Sequence, residues 1–235
     1  MENGETMNKV DELKKELWLG CKILYGAGLV KETGHLSVRL SNNTFLMSPR
    51  KSPGLVKLKE IQTLDWAGKV IDGHEEPNSE TVIHLAIYQN RSDVVSIAHT
   101  HSEMCIVLGS IGESLKPIHN YGGMLGSIVP VHSEIGLIQD LDKAKRMADV
   151  LGRQSALLLR GHGSIVATES IKKTVIGAIR LEYCARLQVL AMGIGKPYYF
   201  SPEECTQLRS KLNLKRSWDY WIQTLGLEEK ESTKK

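Results

Sequence analysis

Apolar residues recur three and four positions apart near the start of the chain, at Val10, Leu13, Leu17, Cys21 and Leu24. That period marks one face of a helix, expected over Asn8–Tyr25. The period then drops to two. HLSVRL (35–40) alternates apolar and polar residues, SNN (41–43) supplies a turn and TFLM (44–47) follows, which reads as a hairpin. IQTLDWAGKVIDG (61–73) reads as a second hairpin turning near Ala67-Gly68. Ser79 is placed to cap a helix over Glu80–Gln89. DVVSIAHTH (93–101), GSIVPVH (126–132), ALLLRG (156–161) and SIVATES (164–170) read as strands, with a helix over Leu141–Gly152 between the second and third. Ser170 then caps a long helix to Met192, with Val175, Ile179, Cys184, Leu187 and Leu190 as its apolar positions. Two shorter helices are expected at Pro202–Leu212 and Ser217–Leu225. Helices precede, interrupt and follow the strands, and some strands are hairpin-linked. An α/β fold with a mixed sheet covered on both faces fits this order better than a strictly alternating parallel sheet.

Composition narrows the picture without changing it. The 235 residues are 41% hydrophobic, enough for one well-buried core. No repeat or low-complexity linker divides the chain, so one domain is expected over 8–226, with flexible termini at 1–7 and 227–235. A net charge of +3 from 30 basic and 27 acidic residues shows no nucleic-acid footprint. The mixed-sign end EEKESTKK reads as a solvated tail. No window is apolar for long enough to span a bilayer, and the polar amino-terminal segment has no signal-peptide core. Cys21, Cys105, Cys184 and Cys205 are scattered without a paired motif, which suggests reduced thiols in a cytoplasmic protein.

The candidate chemistry starts in SIAHTHSEM (96–104). Residues two apart on a strand share a face, so His99 and His101 can offer two adjacent nitrogens to one ion. They can equally be ordinary polar residues at a strand end, and a third ligand is needed to decide. His162 in LLLRGHGSIVA also ends an apolar strand, between two glycines that let backbone and ligand come close. Three protein ligands and an open position are the usual arrangement of catalytic zinc. Glu80 in PNSETVIHLAIY is either a first-turn carboxylate favoured by the helix dipole or a group that binds metal and moves a proton. His84 falls inside the same helix among apolar residues and reads as structural. There is no G-x-S-x-G nucleophile elbow, and YGAG and YGGMLG form neither a dinucleotide fingerprint nor a P-loop.

Taken in order, SE, an apolar helix, HTH and GHG, with GHLSVRL upstream, the chain resembles the class II aldolase/adducin family over roughly Leu13–Ala191. That family includes the fuculose-phosphate and ribulose-phosphate aldolases and epimerases. The resemblance implies a single three-layer α/β/α domain with a mixed, mostly antiparallel sheet. It implies that His99, His101 and His162 bind a divalent metal, zinc first, with manganese, cobalt or iron as alternatives. Glu80 would ligate the metal and act as acid/base. A C4 homotetramer with active sites at subunit interfaces is implied, with a small-molecule substrate and neither nucleic acid nor membrane as partner. The expected reaction is carbon–carbon cleavage of the aldol type through an enediolate or enolate. Decarboxylation of a hydroxy-acid or hydroxyaromatic acid at the same site is the alternative, and a non-catalytic adducin-like module is another. A cupin-like oxygenase, which also uses HxH, fits less well, because that fold is all-β.

The candidate substrate-binding residues are His35, Ser48, Arg50, Ser79 and Tyr121. Several depart from the sugar-phosphate aldolases. His35 stands where those enzymes carry an asparagine, Ser48-Pro49-Arg50-Lys51 replaces a Thr/Ser-Gly loop, and Asn78-Ser79 replaces a serine pair. These are phosphate-holding positions in the aldolases, so the departures weigh against a phosphorylated substrate. Arg50 is able to pair instead with a carboxylate. Tyr121 lies near the aldolases' proton-donor tyrosine, about one residue out of register.

Overall fold

The computed structural model describes residues 2–40, 43–209 and 213–227. Eight strands form one sheet: β1 (His35–Arg39), β2 (Thr44–Met47), β3 (Gln62–Asp65), β4 (Val70–Asp72), β5 (Ser96–Thr100), β6 (Val131–His132), β7 (Ala156–Leu159) and β8 (Gly163–Thr168). Their order is β4-β3-β2-β1-β5-β8-β7-β6. Every pairing is antiparallel except β6 with β7. The helices are α1 (Glu2–Gly26), α2 (Thr81–Asn90), α3 (Glu103–Ser110), α4 (Leu141–Leu151), α5 (Ile171–Ile194), α6 (Pro202–Arg209) and α7 (Leu214–Thr224). This is the expected α/β class with helices on both faces of a mostly antiparallel sheet.

The two-residue period of the strands sorts the core into two layers. Leu36, Val38, Leu46, Ala98, Leu158 and Val166 pack with residues of α1, α3 and α5 on one face. Phe45, Met47, Ile97, Leu157, Ile165 and Ala167 point the other way, onto α2 and α4. The four cysteines are buried and form no disulfide among the described residues. Burial pushes the thiols of Cys21 and Cys184 up to about 12, as expected of core residues rather than nucleophiles.

Several expectations need correction. Ser79 does not cap α2. The residue before the helix is Glu80, which makes no capping bond, and the turn is organised by Asn78 instead. Asn78 Oδ1 accepts from the Glu80 N–H at 3.0 Å and its carbonyl from the Thr81 hydroxyl at 2.6 Å. The strand expected at 126–132 shrinks to Val131–His132 plus an isolated bridge between Leu115 and Val129. Pro130 within it lacks the N–H a ladder needs. The strand expected at 93–101 runs only from Ser96 to Thr100, so His101 lies just past its end. Helix α3 and a 3₁₀ segment at Asn120–Leu125 were not signalled. The start of α3 is held from afar, because the Glu182 carboxylate on α5 accepts from the Met104 and Cys105 N–H groups at 3.0–3.2 Å. Helix α1 begins earlier than expected, and α7 begins at Leu214, capped by Asn213 Oδ1 accepting from Arg216 N–H at 2.9 Å. The turn residues 41 and 42, the end of the helix expected to reach 212 and the tail 228–235 lie outside the described residues.

Gly163 opens β8 where it crosses β5. A Cβ there would collide with the Thr100 carbonyl and come within 3.1 Å of the His101 ring. Both obstacles belong to segments that carry candidate histidines. Gly163→Ala is expected to cost about 1–3 kcal/mol of stability and to weaken divalent-ion binding, measured by urea denaturation and metal titration. Wild-type values in both would show that the close approach is not required.

Candidate metal centre

His99 sits near the end of β5, opposite His35 on β1 and Ile165 on β8. His101 follows on the exit loop, where its backbone N–H bonds the Leu29 carbonyl at 3.0 Å. His162 stands in the tight turn between β7 and β8, next to Gly161, whose φ of +65° suits a glycine. Glu80 enters from the start of α2. One ligand atom from each of these four residues lies within 4.8 Å of the others. Residues separated widely in sequence therefore meet at one end of the central strands β5 and β8.

The proton positions follow from the partners. His99 Nδ1 is 3.0 Å from the Ser164 carbonyl, which can only accept, so Nδ1 carries the proton and Nε2 the lone pair. That Nε2 lies 3.0 Å from His101 Nε2 and 3.3 Å from His162 Nε2. A single lone pair does not satisfy both contacts, whereas a cation among the three does. Nitrogens each bound at about 2.0–2.1 Å to a tetrahedral zinc lie about 3.3–3.4 Å apart, close to what is seen. His101 is oriented by Thr33 Oγ1, 2.7 Å from its Nδ1. Glu80 Oε1 accepts from the Ile138 N–H at 2.8 Å, and Oε2 faces His162 at 3.6 Å and His99 at 3.8 Å.

The electrostatics suit a cation. Burial, with neighbouring imidazoles, holds the His99 and His101 rings below the usual histidine range, so they stay neutral and able to ligate. Burial alone would raise the Glu80 carboxyl. Its hydrogen bond with His162, the His99 ring and the Ile138 N–H outweigh that and bring it down to about 2. The donor set of three imidazoles and one carboxylate fits zinc and other first-row divalent ions.

The candidate substrate residues divide. His35 is buried beside His99, with ring centroids 4.9 Å apart. Its Nδ1 bonds His84 Nε2 at 2.6 Å, and His84 Nδ1 bonds the Ser37 hydroxyl at 2.6 Å, which in turn meets the Tyr88 hydroxyl at 2.7 Å. His84 is thus structural as expected, yet it backs a residue of the site, a link not visible in the sequence. His35 Nε2 is buried with no partner among the described residues. The Ser48 hydroxyl accepts from the Leu36 N–H at 3.1 Å. Arg50 is exposed and pairs with Glu76 at 2.5 Å. Ser79 is exposed. Tyr121 packs against His119, Tyr183 and the Arg180 guanidinium.

The chain matches the family described as Class II Aldolase and Adducin N-terminal domain over residues 15–189. It belongs to that family. It is similar to decarboxylase tropJ of Talaromyces stipitatus, 27% identical, with 86% of this chain and 90% of that protein covered. It is also similar to 5-deoxy-D-ribulose 1-phosphate aldolase of Bacillus thuringiensis, 28% identical, with 81% and 90% covered. Among solved structures it resembles an L-fuculose 1-phosphate aldolase, with a TM-score of 0.78, 28% identity and 85% and 95% covered. The helix-covered sheet excludes the all-β cupin alternative. Among the described residues no helix is long and apolar enough to cross a membrane.

His101→Ala is expected to lose the bound divalent ion, and wild-type protein to gain about 2.7 kcal/mol at a metal concentration a hundredfold above Kd. Metal analysis and thermal melts check both. A pH dependence also follows from His84, which burial first, then the neighbouring His99, pushes down to about 3. Its folded pKa lies below the unfolded value near 6.5, so the unfolded chain binds the extra proton between the two. Stability is full above about pH 6.5 and falls as pH drops, by up to about 1.4 kcal/mol per pH unit for this group. Denaturation of metal-free protein at several pH values, with His84→Gln flattening the slope, tests it.

Proposed function

We propose that this class II aldolase-family lyase breaks the carbon–carbon bond next to an oxygen-bearing carbon of a small substrate, with His99, His101, His162 and Glu80 holding a divalent ion, zinc foremost. The observation that carries the reading is the lone pair of His99 Nε2 confronting two further imidazole nitrogens at 3.0 and 3.3 Å. A bound divalent ion supplies electrostatic stabilisation for the negative charge that develops on the substrate oxygen as the bond breaks. The chain's own groups do the rest. The Ser164 carbonyl and Thr33 fix the rings of His99 and His101, so no reorganisation is needed as charge builds. Ionised Glu80, with Oε2 free of the Ile138 contact, takes a hydroxyl proton in aldol cleavage and returns a proton to carbon afterwards.

Within this class, decarboxylation of an unphosphorylated hydroxy-carboxylate, aromatic or aliphatic, is the form that the surrounding residues favour. Side chains at the aldolases' phosphate-holding positions are engaged elsewhere: His35 with His84, Ser48 with Leu36 and Arg50 with Glu76. The departing carbon dioxide also needs no phenol to protonate it, and Tyr121 packs against His119, Tyr183 and Arg180 within the protomer. Aldol cleavage is the second reading, supported by the aldolase relatives, with Tyr121 reaching the site of an adjacent copy. A cytoplasmic C4 homotetramer fits both. Its support is the four buried cysteines, which form no disulfide among the described residues, and the exposed apolar residues Tyr183, Leu190 and Ile194 on α5.

The deciding experiment compares carbon dioxide release from hydroxyaromatic and hydroxy-aliphatic carboxylates with aldehyde release from ketose 1-phosphates, using zinc-reconstituted protein. Carbon dioxide without aldehyde is expected. Efficient ketose-phosphate cleavage would overturn the decarboxylase form, and metal retention without turnover of any substrate would favour the adducin-like module. Glu80→Gln keeps an acceptor for the Ile138 N–H, so the fold is expected to survive while kcat falls by about 10²–10⁴.

A further inference from the structure

Lys143 stands where a helix disfavours a cation. Asp140 caps α4, its Oδ1 accepting from the Lys143 N–H at 2.8 Å, so Lys143 lies in the first turn, at the positive end of the helix dipole. Its side chain turns back toward the start of the helix. The ammonium donates to three consecutive carbonyls of the preceding loop: Ile135 at 2.7 Å, Gly136 at 3.2 Å and Leu137 at 2.8 Å. An ammonium has three N–H donors, and this loop takes them all. Gly136, in the middle of the run, has a φ of +80°, which glycine adopts without strain.

The loop joins β6 to α4 and reaches the metal centre. Ile135 and Leu137 are exposed, so their side chains anchor little, and the Arg146–Glu134 pair at 2.6 and 2.9 Å lies at the surface. Ile138, next along, is buried in the core. The Leu137 carbonyl and the Ile138 N–H belong to one trans peptide group and point opposite ways. Lys143 holds that peptide at the carbonyl, and the N–H at its other end donates to Glu80 Oε1 at 2.8 Å. A cation on the carbonyl polarises the peptide and strengthens its N–H as a donor. Glu80 Oε2 is thereby left facing His162 at 3.6 Å and His99 at 3.8 Å.

We infer that Lys143 is a positioning residue for Glu80: its ammonium fixes the Leu137–Ile138 peptide, whose N–H holds Oε1 and reserves Oε2 for the metal centre. The inference rests on the proposed reading of Glu80 as a metal ligand and proton carrier, and adds the device that orients it. Without the ammonium, three carbonyls lose their shared donor and the peptide is free to turn. Glu80 then recovers rotational freedom that binding an ion must take away again. Groups that orient a ligating carboxylate matter to an ion nearly as much as the carboxylate itself.

Zinc titration of the full chain against a competing chelator, and amide hydrogen exchange at Ile138 in metal-free protein, test it. In Lys143→Met, zinc affinity is expected to fall about tenfold and Ile138 exchange to quicken at least about tenfold. Lys143→Arg, which keeps several N–H donors, is expected to recover most of both. A lysine that acts through Glu80 has no further effect once Glu80 is altered. In a Glu80→Gln background Lys143→Met is therefore expected to change zinc affinity by less than about twofold. Should Lys143→Met fail to fold, Gly136→Ala disturbs the same carbonyls from the backbone and is expected to give the same two changes. Unchanged Ile138 exchange in Lys143→Met, or an equal loss of zinc affinity with and without Glu80, would overturn the inference. If Glu80→Gln binds zinc as wild type does, the ligand reading of Glu80 fails instead, while quickened Ile138 exchange in Lys143→Met still supports the hold of Lys143 on the peptide.

Discussion

One lone pair facing two other imidazole nitrogens is the constraint on which the rest of the site depends. The protonated His99 Nδ1 donates its hydrogen bond to the Ser164 carbonyl, so its Nε2 has only electrons to offer to His101 and His162. Positive charge among the three rings turns mutual repulsion into shared coordination. Glu80 adds the negative charge that makes such a cation welcome in a desolvated place.

The scaffold holds this arrangement by backbone rather than by side-chain packing alone. Antiparallel β1, β5 and β8 lie side by side in the middle of the sheet, which brings His35, His99 and the turn carrying His162 to one end of these strands. Gly163 lets β8 approach the Thr100 carbonyl more closely than any Cβ allows. Glu182 ties the start of α3 to α5, just past His101. Behind the metal centre, the chain His35–His84–Ser37–Tyr88 places polar groups in the core with each hydrogen bond at 2.6–2.7 Å. A buried network is tolerable only when its members are paired, and here the unpaired atom, His35 Nε2, is the one beside His99.

Much of the fold was legible because strand and helix periods differ. The alternation in 35–40 and the apolar runs ending at His101 and Gly161 marked strands, whereas of the apolar positions expected on α5 Val175 and Cys184 are buried, Ile179 and Leu187 half-buried and Leu190 exposed. The histidines were legible too, since HTH and GHG each follow an apolar run. Other features were not. Ser79 has the chemistry of a cap, but Asn78 two residues before Glu80 wins because its side-chain oxygen reaches the N–H that the turn presents. The capping of α3 by Glu182 and the link from His84 to His35 join residues far apart along the chain. The sequence by itself determined most of the element types, the two-sided sheet and the candidate metal donors, because these depend on local period and residue chemistry. Only the tertiary structure decided which ring nitrogen carries a proton and which polar residues are already engaged, because those depend on neighbours brought together by the sheet order.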